Sequence, residues 1–222
     1  MNLIVGCVGL ASVIGIVAWM VLGSWFWLSG NTGYAIMASA LTVSLAGFLY
    51  FNISKGKNKI FMGDTGSLII GFIIAVMIIR FNEVNSGTNG FHNLVSSPAV
   101  SIAIIFVPLF DTLRVFTVRI LCGRHPFKAD KSHIHHLMLK AGFSHIESTL
   151  IISLVHILII ITAFIFDSIG ILWLSLVLIL IGIILTWVVF ILASKKKMAE
   201  NVVGLVSQKI LLALSKVNSN IF

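Results

Sequence analysis

Charged residues are scarce in this chain: they make up 10% of 222 residues, and only seven are Asp or Glu. Soluble domains carry about 25% charged residues, so this composition excludes an ordinary water-facing surface. The two cysteines, Cys7 and Cys122, are too few for a disulfide framework, and both are expected near the cytosol, where thiols stay reduced. No basic segment follows Met1, so a cleaved signal peptide is not expected.

Long apolar runs dominate what is present: 59% of the residues are hydrophobic, and the mean hydropathy is +1.11. The runs are continuous rather than alternating, which favours membrane-spanning helices over strands. Six of them approach the roughly 20 residues that a helix needs to cross about 30 Å of hydrocarbon. They cover residues 3–22, 33–51, 60–79, 99–121, 149–166 and 169–192. The sequence therefore predicts an all-α, polytopic integral membrane bundle of about six transmembrane helices.

The basic residues alternate between the connections of this predicted bundle. Segments 23–32 and 81–98 contain no Lys or Arg, and Arg80 is the one basic residue expected at an outer end. The other connections and the tail contain Lys55, Lys57, Lys59, Arg114, Arg119, Arg124, Lys128, Lys131, Lys140, Lys195, Lys196, Lys197, Lys209 and Lys216. Because cytosolic loops carry an excess of Lys and Arg, this pattern predicts that both termini are cytosolic. The net charge of +8 thus reflects topology and no nucleic-acid partner is expected, although a membrane anchor without chemistry explains the charge equally well.

The chain is predicted to have two parts. Residues 1–194 form the transmembrane domain, and residues 195–222 form a basic amphipathic C-terminal tail. One face of the tail is apolar, so the tail is expected to rest in the inner membrane interface. The residues of this face are Val203, Leu205, Val206, Ile210, Leu211 and Leu214.

The first polar segment, residues 63–67 (GDTGS), lies at the start of the third apolar run. A carboxylate in the middle of a transmembrane helix costs roughly 2.5–3.5 kcal/mol, whereas the free amides and dipole at a helix N-terminus favour an anion. An N-cap therefore explains Asp64 about as well as a functional role does. The functional interpretation is that Asp64 binds Mg²⁺ while the flanking glycines let a phosphate approach the backbone.

The second polar segment, residues 133–136 (HIHH), lies within a basic stretch. On a helix, His133 and His136 share a face and His135 points away, so the cluster suits a turn or a helix start better than a buried face. The three imidazoles offer hydrogen-bond donors to phosphate oxygens. A solvated loop that contacts anionic lipid is the alternative. A zinc site with Cys122 is less favoured, because the spacing matches no usual structural zinc pattern.

Asp111 lies in the fourth apolar run, between Pro108 and Arg114. Pro108 is expected to kink this helix near the cytosolic face. Arg114 has the spacing that places it on the same helix face as Asp111, so an ion pair is favoured over a direct catalytic role. His156, within the fifth run, is expected to be structural.

Three segments in this order resemble a known family. They are residues 61–67 (FMGDTGS), 108–114 (PLFDTLR) and 133–136 (HIHH). Together they are similar to the polyprenyl-phosphate N-acetylhexosamine-1-phosphate transferases, the group that includes undecaprenyl-phosphate N-acetylglucosamine-1-phosphate transferase and the muramoyl-pentapeptide translocase. Residues 2–12 also resemble a family segment that reads Asn-Leu-Ile-Asp-Gly-x-Asp-Gly-Leu-Ala-Ser.

The resemblance implies transfer of an N-acetylhexosamine 1-phosphate from a UDP-sugar to a polyprenyl (undecaprenyl) phosphate, with release of UMP. Such a reaction belongs to cell-envelope glycan biosynthesis, including cell wall polysaccharide and lipopolysaccharide, at the cytosolic face of the bacterial inner membrane. The resemblance also implies that Asp64 is the catalytic Mg²⁺ ligand. It further implies that His133, His135 and His136 bind the nucleotide-sugar diphosphate and that Asn2 borders the nucleotide pocket.

The chain departs from the family pattern at Val5 and Val8, which stand where the family has acids, and the family's paired-aspartate motif has no counterpart. The resemblance leaves the role of Asp111 open. An N-terminally shortened or degenerate member is therefore expected, with fewer carboxylates for Mg²⁺. The alternative is a non-catalytic membrane scaffold, or half of a split transferase that needs an acid-bearing partner. The expected protein partner is accordingly a second chain of this kind, or further copies of this chain in a homo-oligomer. Small residues of the first helix, such as Gly9 and Gly15, would then contact the partner.

Overall fold

The computed structural model describes residues 9–54, 58–87, 93–123, 125 and 133–218, with side chains as far as residue 196. Its helices are α1 (Leu10–Leu28), α2 (Thr32–Ile53), α3 (Gly63–Gly87), α4 (Ser97–Ile104), α5 (Phe106–Leu121), α6 (Ile134–Ala141), α7 (His145–Ile165) and α8 (Ile171–Asn218). A short 3₁₀ turn at Asp167–Ile169 joins α7 to α8. Every regular element in the described ranges is helical, and the prediction of an all-α fold is confirmed.

Five helices are long and apolar enough to cross a membrane: α1, α2, α3, α7 and α8. The bent pair α4–α5 adds a sixth crossing when it is counted as one span. The prediction of about six transmembrane helices is thus confirmed. The cytosolic placement of both termini stays a prediction.

Several helices extend beyond their predicted ends. Helix α1 ends at Leu28 rather than near residue 22, because Trp25 and Phe26 still belong to the buried core. Helix α3 continues past residue 79, where Phe81 is fully buried. Helix α8 continues past residue 192 into the predicted tail, since residues 193–200 are mostly strong helix formers.

Helix α1 lies at the centre of the bundle and packs closely against α2. A Cβ atom on Gly15 would lie 2.8 Å from the Cδ1 atom of Leu45, and one on Gly23 would lie 2.8 Å from the Cβ atom of Ala38. The small residues of α1 therefore allow close packing within the chain, rather than contact with a partner as the split-protein alternative supposed. Helix α2 exposes most of its remaining surface.

Polar and apolar contacts join several helix ends at one end of the bundle, which we call the Gly9 end. The side-chain amide of Asn52 accepts a 2.7 Å hydrogen bond from the N–H of Gly9 and donates a 2.8 Å bond to the carbonyl of Ile60. Leu10 and Phe143 belong to one apolar cluster. The start of α1, the end of α2, the approach to α3 and the turn after α6 thus meet here.

A second set of contacts closes the opposite end, which we call the Asp167 end. The carboxylate of Asp167 accepts hydrogen bonds of 2.8 and 2.7 Å from the N–H groups of Val95 and Ser96, just before α4. The side chain of Asn85 both donates to and accepts from the backbone of Leu94, at 2.7 and 2.8 Å. Side chains distant in sequence therefore satisfy the backbone groups that precede α4.

The fourth crossing bends by 80° between α4 and α5, at Ile105. Pro108 lacks the N–H that would bond to the carbonyl of Ile104 in a continuous helix. That carbonyl instead accepts a 3.0 Å hydrogen bond from Nε2 of His156, a fully buried side chain of α7. The kink predicted near Pro108 is present, and His156 has the structural role expected of it.

We expect His156→Ala to destabilise the protein, because the carbonyl of Ile104 would then be buried without a donor. The free energy of unfolding should fall by about 1–3 kcal/mol, the cost of a buried acceptor without a hydrogen bond. Thr162→Val, in the same helix, is the matched control: its hydroxyl bonds only within α7, and the expected change is within about 0.5 kcal/mol. Unfolding in detergent measures both variants, and equal stabilities would contradict the role given to His156.

Candidate functional site

The two polar segments lie at the same end of the bundle. One small apolar cluster at the Gly9 end contacts a neighbour of each segment. Met62 packs against it two residues before Asp64, and Ile134 packs against it next to His133. The buried members of that cluster are Leu10, Ala11, Ile14, Val107, Met138 and Ile152. Because their neighbours share this cluster, Asp64 and the histidines are on one side of the membrane, as a shared ligand requires.

Asp64 is an exposed residue in the first turn of α3. The helix begins at Gly63, whose φ of +63° lies in the left-handed region that favours glycine, so Asp64 lies inside the helix rather than at its N-cap. The first-turn amides and the positive end of the helix dipole favour a negative charge here. Ser67 donates a 2.9 Å hydrogen bond to the backbone carbonyl of Asp64 and leaves its carboxylate open to solvent.

The three histidines lie at the start of α6, as predicted. His133 is its N-cap, and His135 and His136 belong to the first turn. The prediction that they avoid a buried face was wrong, since His133 is 5% exposed and His135 is 2% exposed. The backbone of His133 is extended, so helical spacing does not govern its direction. The rings form a row, with centroids 6.1 Å apart for His133 and His135 and 4.1 Å apart for His135 and His136.

Helix α6 is held firmly at its C-terminal end. Gly142 follows the helix with a φ of +101°, and the N–H of Phe143 bonds back to the carbonyl of Met138 at 3.2 Å. Both apolar side chains join the same cluster, an arrangement typical of a glycine-terminated helix. The side chain of Lys196 in α8 passes directly over Gly142, so α8 comes close to the end of α6 here.

Asp111 is buried in α5 and holds the N-terminal end of α6. Its Oδ1 accepts hydrogen bonds from Nη2 of Arg114 at 2.8 Å and from the N–H of Ile134 at 3.0 Å. Its Oδ2 lies 2.8 Å from Nδ1 of His133. The predicted ion pair with Arg114 is confirmed. Sequence reasoning missed the contact with His133, because 22 residues separate the two side chains in the chain.

His135 is the most enclosed of the three rings. Both of its nitrogens are buried, and neither has a hydrogen-bond partner among the described residues. Burial, reinforced by the neighbouring His136, lowers the pKa of His135 from its ordinary 6.5 to about 4. The ring is therefore neutral at physiological pH, with one nitrogen able to donate and the other able to accept a hydrogen bond from a ligand.

An apolar groove of about 190 Å³ runs between α5, α7 and α8 beside this cluster. Asp111 and Ile134 are among its lining residues. The rest of its wall is nearly all apolar and includes Phe106, Phe110, Met138, Phe143, Ile152, Val155, Leu185 and Val189. The groove thus joins the site to the hydrocarbon region of the bundle.

The described residues fit Mg²⁺ through one carboxylate. The carboxylate of Asp111 is fully engaged with Arg114, Ile134 and His133, whereas the exposed carboxylate of Asp64 is open to a cation. Within the described ranges, no three His, Cys, Asp or Glu residues are arranged to bind a metal ion. Mg²⁺ is often held by one or two carboxylates and by substrate phosphates, so Asp64 meets the minimum requirement.

One predicted site residue, Asn2, lies outside the described residues, as do Val5 and Val8. Sequence reasoning also missed Asn52, the amide that ties the start of α1 to the segment leading to Asp64. An asparagine near the end of an apolar run was the available signal, since a buried amide in a membrane helix needs polar partners.

The fold and the site define a class: a multi-pass membrane protein with an open carboxylate and a partly buried histidine cluster at one membrane face. Residues 1–82 match the model of the family described as Glycosyl transferase family 4. Together with the relatives below, this match confirms the resemblance: the chain belongs to this glycosyl transferase family.

The chain is similar to several bacterial proteins of known name. It is 30% identical over 195 residues to the undecaprenyl-phosphate α-N-acetylglucosaminyl 1-phosphate transferase of Escherichia coli O157:H7, covering 83% of this chain and 49% of the relative. It is 36% identical over 215 residues to a Bacillus subtilis protein named "Probable undecaprenyl-phosphate N-acetylglucosaminyl 1-phosphate transferase", covering 94% and 52%. The chain thus spans about half the length of these curated relatives. No solved structure matches it.

Asn52→Ala is expected to loosen the Gly9 end, because Gly9 and Ile60 lose a shared partner. Hydrogen–deuterium exchange should become faster in residues 9–12 and 58–64 and stay unchanged in residues 93–97. Asn85→Ala, which removes the equivalent two-way contact at the Asp167 end, should give the opposite pattern. The same exchange pattern in both variants would contradict the roles given to Asn52 at the Gly9 end and Asn85 at the Asp167 end.

The low pKa of His135 predicts a loss of stability in acid. The unfolded ring binds a proton below pH 6.5 and the folded ring only below about 4, so stability falls between these values. Between pH 7 and pH 5, His135 should lower the free energy of unfolding by up to about 2 kcal/mol. In His135→Gln, the free energy of unfolding should fall by that much less between pH 7 and pH 5, whatever the stability of the variant at pH 7. Unfolding in detergent measures both proteins. If the unaltered protein and His135→Gln lose the same free energy of unfolding between pH 7 and pH 5, His135 is not buried in this way.

Proposed function

We propose that the protein transfers N-acetylglucosamine 1-phosphate from UDP-N-acetylglucosamine to undecaprenyl phosphate and releases UMP. One observation carries the proposal: Asp64 and the cluster of His133, His135 and His136 lie at the same end of the bundle. Relatives that carry this reaction in their names supply the chemical class.

In this reaction an oxygen of the lipid phosphate attacks the phosphorus that is linked to the sugar. A new P–O bond forms, and the bond from that phosphorus to the bridging oxygen of UMP breaks, so UMP leaves with the electron pair. Phosphoryl transfer of this kind depends mainly on positioning and charge neutralisation. The rings of His135 and His136 would bind the diphosphate by donating hydrogen bonds to its oxygens, and His133 at the start of the same helix would contact the nucleotide sugar.

Mg²⁺ would be held by Asp64 together with substrate phosphates. When bound, the ion neutralises phosphate charge and polarises the phosphoryl oxygens. The position of Asp64 in the first turn of α3 would also bring backbone amides near the same phosphates. Asp64 and α3 would thus act on one side of the diphosphate and the histidine cluster on the other.

The lipid acceptor would occupy the apolar groove between α5, α7 and α8. The groove is lined almost entirely by apolar side chains, and its lining includes Asp111, which contacts His133. An isoprenoid chain in the groove would keep its phosphate near the membrane surface, where the water-soluble sugar nucleotide arrives. This arrangement explains why the transfer belongs in a membrane protein.

We further propose that the Gly9 end faces the cytosol of a bacterial inner membrane, and that the product enters cell-envelope glycan synthesis. Lys59, Lys140, Lys195 and Lys196 are at the Gly9 end, whereas Arg80 is near the Asp167 end, where it pairs with Glu83. This distribution supports the orientation, because Lys and Arg accumulate on the cytosolic side.

The test is transfer of labelled sugar phosphate from UDP-N-acetylglucosamine into lipid, in membranes that contain this protein. Asp64→Asn should lower the rate about 100-fold or more, the range expected when a group that stabilises transition-state charge is lost. Asparagine also suits a helix N-terminus, so the fold should persist.

Glu83→Gln is the matched control, because Glu83 is an exposed acid of the same helix at the other end of the bundle. Its rate should stay within about twofold, as for most surface substitutions. Equal rates for Asp64→Asn and Glu83→Gln, or no transfer by the unaltered protein, would contradict the proposed function.

A further inference from the structure

The carboxylate of Asp111 contacts three hydrogen-bond donors, and only one of these is a histidine. Oδ1 accepts from Arg114 and from the N–H of Ile134, while Oδ2 faces Nδ1 of His133 at 2.8 Å. A carboxylate paired with a guanidinium accepts hydrogen bonds and donates none. The Nδ1 atom of His133 must therefore carry a hydrogen, and Nε2 is the nitrogen left for a ligand.

The same carboxylate replaces a local helix cap. His133, the N-cap of α6, makes no capping hydrogen bond with its own side chain. Asp111 reaches across from α5 and accepts the N–H of Ile134 instead, so a membrane helix sets the position of the first turn of α6. His135 and His136 belong to this first turn, so the contact positions their rings along with that of His133.

We propose that Asp111 is a positioning residue for nucleotide-sugar binding: it fixes the hydrogen of His133 on Nδ1 and the start of α6, so that Nε2 faces the nucleotide sugar as a hydrogen-bond acceptor. The inference rests on the proposed function for the identity of the ligand. With its hydrogen on Nδ1, the ring can accept a hydrogen bond at Nε2 from a hydroxyl or N–H group of the nucleotide sugar. Arg114 balances the charge of the carboxylate when no ligand is present.

Asp111→Asn separates positioning of the ring from capping of the helix. The amide oxygen can still accept from Arg114 and Ile134, which both bond to Oδ1, so the start of α6 keeps its cap. The amide NH₂ then occupies the place of Oδ2 and donates to Nδ1 of His133. The ring must then carry its hydrogen on Nε2, so that this nitrogen no longer offers the ligand an acceptor.

Nitrogen-15 NMR of histidine-labelled protein in detergent tests the positioning directly, with His133→Gln to assign the signals. The unaltered protein should show hydrogen on Nδ1 of His133, and Asp111→Asn should show it on Nε2 alone. Hydrogen on Nε2 alone in the unaltered protein would overturn the inference. This measurement requires no transfer activity.

The transfer assay gives the second test. Asp111→Asn should lower kcat/KM for UDP-N-acetylglucosamine about 10- to 100-fold, the range seen when a carboxylate that orients a metal-bound histidine is removed. Asp167→Asn is the control, because it changes a carboxylate that caps another helix from a distance but contacts no histidine in the described structure. It should lose stability and keep its activity within about twofold.

The two proposals fail in different ways. If Asp111→Asn and Asp167→Asn have the same kcat/KM, Asp111 is merely structural and the positioning role is overturned, while the transferase proposal stands. If the unaltered protein transfers no sugar phosphate, the proposed function fails. The NMR result for His133 then still decides whether Asp111 fixes the ring.

Discussion

A backbone carbonyl inside a membrane protein needs a hydrogen-bond donor, and the carbonyl of Ile104 cannot find one in its own helix. Pro108 removes the N–H that would bond to it, and Nε2 of His156 supplies the replacement from α7. The fourth crossing is therefore free to bend by 80°, and α5 leaves the direction of α4. The contact between Asp111 and α6 depends on this direction.

The site that results combines two electrostatic environments. Asp64 is exposed at a helix N-terminus, where dipole and amides favour its negative charge. His135 is enclosed and kept neutral by burial beside other imidazoles. A diphosphate between them would meet a carboxylate suited to a cation on one side and hydrogen-bond donors on the other. Such a division suits phosphoryl transfer, in which the protein positions groups and neutralises charge.

Much of the architecture could be predicted from the sequence, because apolar run length is a strong signal in membrane proteins. Counting the crossings also predicts that the two polar segments lie at the same end of the bundle, because Asp64 begins the third run and His133 follows the fourth. The helix ends were less predictable. Trp25, Phe26 and Phe81 pack into the core beyond the expected limits, and no local pattern marks where such packing stops.

The contacts that organise the site were mostly beyond sequence reasoning. Pro108 indicated a kink, but the donor that satisfies the carbonyl of Ile104 there is His156, which is 52 residues away. The Asp111–Arg114 pair followed from helical spacing, whereas the bond to His133 depends on the course of the intervening chain. Burial of the histidines was missed for a similar reason, since the N-cap backbone of His133 does not follow helical periodicity.

The central claim is that Asp64 and the histidine cluster bind one ligand together. Its most direct test is paramagnetic broadening by Mn²⁺, used in place of Mg²⁺, of the imidazole NMR signals of His135 and His136. The account predicts strong broadening when Mn²⁺ and UDP-N-acetylglucosamine are both present, and its loss in Asp64→Asn. Sharp histidine signals in the presence of both ligands would contradict the claim.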